Sequence, residues 1–248
     1  MLKKVIAVVL CSTCSLALAE QQRVTLTHEN KVPALHQLEL GYSFEQTEYT
    51  DLQYRSHALQ ARFGLIENLT ARLDVPYVMR DEDFAEDENG LGDVSLGFDL
   101  VAHQDVFSYP YVIPHVDIAF ATGDDEKGLG TGEASYTFGF SVGTVVYDQL
   151  HYVADLSYAV NHDARASDED DAFIASLSIV WDVDERFAVS AEGRTLDYQN
   201  TDTQPYLLGG GMAYSWSESL LTKFFLGTWQ KGGNGEDLVI NVSAAYQL

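Results

Sequence analysis

The most specific chemistry in this sequence comes from two arginines on either side of a tight turn. Arg62 and Arg72 stand at matching distances from the turn at residues 66–68, with alternating apolar and polar residues running away from it in both directions. In an antiparallel hairpin this symmetry makes them cross-strand neighbours on one face. Two adjacent guanidinium groups repel unless a carboxylate, or a passing anion, lies between them. Asp74 and Asp99 fall on the same face of the same and the next strand. Asp93, Asp117, Asp155 and Glu192 continue that face, with Arg194 and Lys223 further round. Charges enclosed by protein must be paired or wet. Such a set either cross-links a closed interior or lines a narrow polar channel that filters solutes.

Other reactive residues form no motif of comparable strength. His28, His36, His57, His103, His115, His151 and His162 have neither the i, i+4 nor the His-x-Glu spacing of metal or catalytic sites. Residues 81–88 and 168–171 have the acidic density of loose calcium sites, and solvated acidic loops have the same composition. Cys11 and Cys14 both lie in the N-terminal leader, so no disulfide framework or thiolate chemistry is expected downstream. No cofactor or resident metal is expected.

The elements that position the charges are strands. Leu238, Ile240, Val242, Ala244, Tyr246 and Leu248 alternate with smaller or polar residues to the end of the chain. That period of two marks a strand whose faces meet different surroundings. A terminal strand of this length needs a partner on each edge, and in a closed barrel one of them is the first strand. The alternation starts at Leu35 and recurs in twelve stretches, of which 220–229 is the weakest because it is apolar on both faces. Soluble sandwich strands are commonly ~5–6 residues. The stretches here run to about ten, the length that crosses a bilayer at a tilt. Aromatics such as Tyr42, Tyr77, Tyr158, Trp181 and Tyr246 at their ends suit two interfacial girdles.

Long or acidic connections (47–51, 81–89, 122–133, 161–171, 197–204 and 231–237) alternate with shorter ones. Long loops at one end and short turns at the other characterise outer-membrane barrels. The expected fold is therefore an all-β, up-and-down antiparallel transmembrane β-barrel of about 12 strands. An even count puts both termini on the periplasmic side, with the long loops outside.

Residues 1–19 read as a signal peptide: Lys3 and Lys4, a short apolar centre, and Ala17-Leu18-Ala19 before cleavage. Residues 20–34 read as a periplasmic lead or a lumen plug, and residues 35–248 as the barrel. The chain carries 14 basic and 38 acidic residues, a formal charge of −24, which becomes −26 once Lys3 and Lys4 are removed. That excess argues against nucleic acid as a partner. The expected partners are a small-molecule solute, outer-membrane lipid, and the barrel-assembly machinery during insertion.

Two glycine-rich stretches narrow the family. Residues 90–100 (GLGDVSLGFDL), then Ala121-Thr122-Gly123-Asp124 with Gly128-Leu129-Gly130-Thr131-Gly132, resemble the MetA-pathway-of-phenol-degradation family of outer-membrane barrels. The turn at residues 64–69 followed by Val75-Pro76-Tyr77 fits that pattern, while Ala121 stands where the family usually has proline. The resemblance implies passage of small, hydrophobic or aromatic compounds across the outer membrane without chemistry. Two alternatives stay open at this point. One is a structural or adhesive barrel with a closed, salt-bridged lumen and ion-binding acidic loops. The other is a barrel hydrolase assembled from separate strands.

Overall fold

A computed structural model describes residues 24–28, 33–48, 52–82, 87–102, 110–161, 171–199, 204–230 and 236–248. The expected signal peptide at residues 1–19 and the acidic residues 83–86 and 168–170 lie outside the described residues. In chain order the strands are β1 (Leu38–Glu48), β2 (Leu52–Ile66), β3 (Leu69–Glu82), β4 (Glu88–Leu91), β5 (Val94–Leu100), β6 (Tyr111–Phe120) and β7 (Ser135–Val146). There follow β8 (Leu150–Asn161), β9 (Ala172–Asp182), β10 (Phe187–Tyr198), β11 (Tyr206–Ser215), β12 (Leu220–Gln230) and β13 (Glu236–Gln247). Each pairs antiparallel with its neighbours, and β1 pairs with β13 across the seam, from Glu39 opposite Gln247 to Glu48 opposite Leu238. β4 and β5 follow one another along a single edge of β3, so the thirteen strands make twelve staves of a closed barrel. Closure pairs every stave on both edges, and only the short β4 keeps a single strand neighbour among the described residues.

The alternation sorts residues between lipid and lumen. Leu59 is 65% exposed and Phe138 50%, and Leu177, Leu208, Val242 and Tyr246 are exposed on the same outer surface. Their inward neighbours are small, polar or charged: Glu39, Thr70, Ser141, Ser178, Glu192 and Ser243 are all buried. An apolar outside and a polar inside suit a barrel solvated by hydrocarbon.

Two strands reach further than the apolar pattern. β2 begins at Leu52, and β4 occupies part of the expected loop at 81–89. There polar residues enter the outward positions, as in the Arg55–Asp81 ion pair. The backbone ladder continues past the apolar belt, where hydropathy carries no signal.

The glycine-rich motifs build one loop. The break between β4 and β5 falls at Gly92 and Asp93. The Asp93 carboxylate accepts hydrogen bonds from the amides of Thr122, Gly123 and Thr131 at 3.1, 2.9 and 2.7 Å, and from the Thr131 hydroxyl at 2.9 Å. Gly132 turns the chain there with a φ of 79°, in the left-handed region where a side chain is strained. Asp93 therefore clamps the loop after β6 and is not a free lumen charge.

Candidate functional site

Register places the inward charges in a row around the wall. Glu39 is opposite Arg62, Arg62 opposite Arg72, Arg72 opposite Gly97, and Gly97 opposite Asp117. The two arginines are thus side by side, and carboxylates flank the pair. Arg62 Nη1 donates to Glu39 Oε1 at 3.0 Å. Arg72 lies 2.7 Å from Asp99 Oδ2 through Nε and donates through Nη2 to Asp117 Oδ1 at 2.9 Å. To reach Asp117 the guanidinium crosses Gly97, where a Cβ would stand 2.8 Å from Nη2 and closer still to Asp117. Asp74, expected as a counter-charge to the arginines, accepts a hydrogen bond from Gln60 at 2.7 Å.

The N-terminal residues 24–28 lie inside the barrel and are held by the remaining charges. Glu192 accepts the amides of Thr25 (2.9 Å) and Leu26 (2.7 Å). Arg194 donates to the Leu26 carbonyl and to Ser176 Oγ, and Lys223 Nζ donates to the Val24 carbonyl at 3.0 Å. Val24 packs on Val180, Ala188, Ala213 and Leu221, and Leu26 on Leu207, Phe225 and Val239. This explains the anomalous stretch at 220–229. Its inward Leu221 and Phe225 face the apolar side chains of this strap instead of water. Between strap and wall remains a cavity of about 230 Å³, lined by Glu39, Gln60, Arg62, Arg72, Asp74 and Arg194 among others.

At the far end of the strap, two histidines that had formed no motif come together. The His28 ring stacks on His115 at 4.0 Å and 14°. His28 Nδ1 is 3.1 Å from Asp99 Oδ1, and His115 Nε2 is 2.8 Å from Asp155 Oδ2. Spacing rules missed them because one lies on the strap and the other on β6. The inward parity of His115 on an alternating strand was the readable signal.

Asp155 also accepts Ser141 Oγ at 2.5 Å and the Ser157 hydroxyl. Ser141 lies at the centre of Gly139-Phe140-Ser141-Val142-Gly143, the spelling of a nucleophile elbow, against the expectation that the chain holds none. Here those residues run through the middle of β7, with no sharp strand-to-helix turn. Both serines donate to the aspartate and not to the histidine. A serine nucleophile needs the imidazole as its base, so this grouping lacks the order of a triad.

The MetA-pathway of phenol degradation family matches residues 30–246. The chain belongs to this family. The glycine-rich stretches by which it resembles that family supply Gly97 and Asp93, one admitting an ion pair and the other clamping a loop. Comparison with curated proteins finds no match. Among solved structures, the COG4313 outer membrane channel from Pseudomonas putida F1 aligns over 92% of this chain and 100% of its own, with 12% identity and a TM-score of 0.73. The NanC porin aligns over 84% and 100%, with 10% identity and a TM-score of 0.62. The CymD monoaromatic hydrocarbon channel aligns over 86% and 88%, with 12% identity and a TM-score of 0.51. This member of the family has the porin-like barrel fold of the outer membrane.

Proposed function

We propose that the protein is an outer-membrane channel that passes small, neutral, polar-edged solutes of monocyclic aromatic size, such as phenols, without chemical change. The observation that carries this reading is the cavity beside the strap, whose two adjacent arginines are already matched by Glu39, Asp99 and Asp117. An entering ion would have to break a partly buried pair and leave a charge behind, which is expensive. A phenol brings no charge, and its hydroxyl can exchange hydrogen bonds with side chains such as Gln60 and Asp74. A cavity of about 150 Å³ accommodates benzene, so 230 Å³ suits one substituted ring. Family membership and the fold support the same reading. Arg62, Arg72, Asp74, Asp99, Asp117, Asp155, Glu192 and Arg194 then set selectivity, partly by pairing with one another and partly by holding the strap.

Absence of chemistry is part of the proposal, and it is supported by the hydroxyls of Ser141 and Ser157, which face Asp155 instead of a base. Planar-bilayer recording tests the reading. The intact protein is expected to give a small ionic current that phenol interrupts and benzoate leaves unchanged. A large ohmic current, or interruption by benzoate alone, overturns it.

A further inference from the structure

We propose that His28, His115 and Asp117 form a divalent transition-metal site inside the barrel, one that fastens the N-terminal strap to the wall. Each of the three residues offers a ligand atom, and the three atoms lie within 4.8 Å of one another. The donor set, two imidazoles and one carboxylate, suits zinc and leaves a position open for water or solute.

The surroundings carry the inference further than proximity alone. Both histidines already have one nitrogen on a carboxylate: Nδ1 of His28 is with Asp99, and Nε2 of His115 is with Asp155. Asp99 is held in turn by Arg72, and Asp155 by Ser141. For His115 this is the outer-shell arrangement that orients a ligating imidazole and raises its basicity. The other nitrogen of His115, Nδ1, is buried with no hydrogen-bond partner, and Asp117 Oδ2 lies 3.8 Å away, beyond hydrogen-bonding range. A buried polar atom without a partner calls for an explanation, and a shared metal ion supplies one.

Charge points the same way. Asp99, Asp117 and Asp155 face Arg72, with Arg194 beyond Asp155, so carboxylates are in excess and a bound cation reduces that excess. Protons on both imidazoles would reduce it too, but two imidazolium rings stacked at 4.0 Å would repel. An ion shared by both rings lies near each ring plane, so binding turns His28 out of the stack and exchanges its contact with Asp99 for the ion, while His115 keeps Asp155 behind it. His28 sits on the strap and not on a strand, and its terminal torsion is broad.

The test uses the purified full barrel in detergent, stripped with chelator and titrated with Zn²⁺, with Co²⁺ absorption reporting nitrogen ligation. The expected result is one tight Zn²⁺ per chain and a cobalt spectrum of histidine ligation. His28→Gln and His115→Gln should each weaken Zn²⁺ binding at least about tenfold, and Asp155→Asn by about 10–100-fold through the outer shell. His57→Gln, on the outer surface beside Tyr42, should change nothing. His28→Gln removes a strap side chain and leaves every strand intact, so loss of binding there is not a folding failure. No stoichiometric Zn²⁺, or unchanged affinity in His28→Gln, overturns the proposal.

Discussion

Replacing Arg72 by alanine should be the most damaging single change to the lumen. The guanidinium serves Asp99 and Asp117 together, and its side chain is only 18% exposed, against 7% for Asp99 and 28% for Asp117. Removing one partner of a buried pair costs about 3–5 kcal/mol, because the other charge stays behind without compensation. Water reaching Asp117 moves the expectation to the low end, about 3 kcal/mol. Arg55 offers an internal control. It pairs with Asp81 on the outer surface above the apolar belt, where both side chains are about a third exposed, at 34% and 33%. Exposed pairs contribute ~0–1 kcal/mol. Arg72→Lys should fall between wild type and alanine, since an ammonium restores the charge but not the fork that serves two carboxylates. Urea unfolding in detergent, followed by tryptophan fluorescence and by the gel mobility of the folded barrel, gives the three values. An Arg72→Ala no less stable than Arg55→Ala would refute the claim that the lumen charges are matched and shielded.

Two further changes probe the wall and the loop. Phe138→Arg places a charge on the lipid face and should impair assembly by about 2–4 kcal/mol. Ser95→Arg, on the inward face, should be milder, and the yields of folded protein in outer membranes compare the two. Asp93→Ala removes the acceptor of four hydrogen bonds in the loop after β6. Cleavage between residues 121 and 134 should then rise in limited proteolysis while the barrel stays folded.

How much of this was legible in the sequence depended on whether a feature followed from parity or from register. Alternation such as Leu69 to Tyr77 gave strand and face together, since each residue flips sides. The adjacency of Arg62 and Arg72 depends on more than the turn, which pairs Ile66 with Leu69: a bulge between Gly64 and Ile66 brings the two arginines opposite one another. Beyond the first hairpin the register is harder still to read. Glu39 alternates with Leu38 and Leu40 and so falls on the polar side of β1, but its role as partner of Arg62 needs the β1–β2 register. Asp74 shared a face with the arginines, and side-chain reach gave it to Gln60 instead. The strap was invisible to periodicity because residues 24–28 form no strand. The polar lead at 20–34 reads as either a periplasmic segment or a lumen plug, and the apolar inward face of β12 pointed to the second. The extensions of β2 and β4 escaped notice because their side chains leave the apolar belt while their backbone hydrogen bonds continue.

The central claim, passage of a small neutral solute, is tested most directly by uptake into cells. Initial rates of labelled phenol and labelled benzoate uptake would be measured at low external concentration. Cells carrying the protein would be compared with cells carrying Arg62→Ala/Arg72→Ala and with cells carrying neither. The intact protein is expected to accelerate phenol entry and leave benzoate unaffected, and the double substitution, which leaves Glu39, Asp99 and Asp117 without their arginines, should still exclude benzoate. Equal phenol uptake with and without the intact protein would contradict that claim.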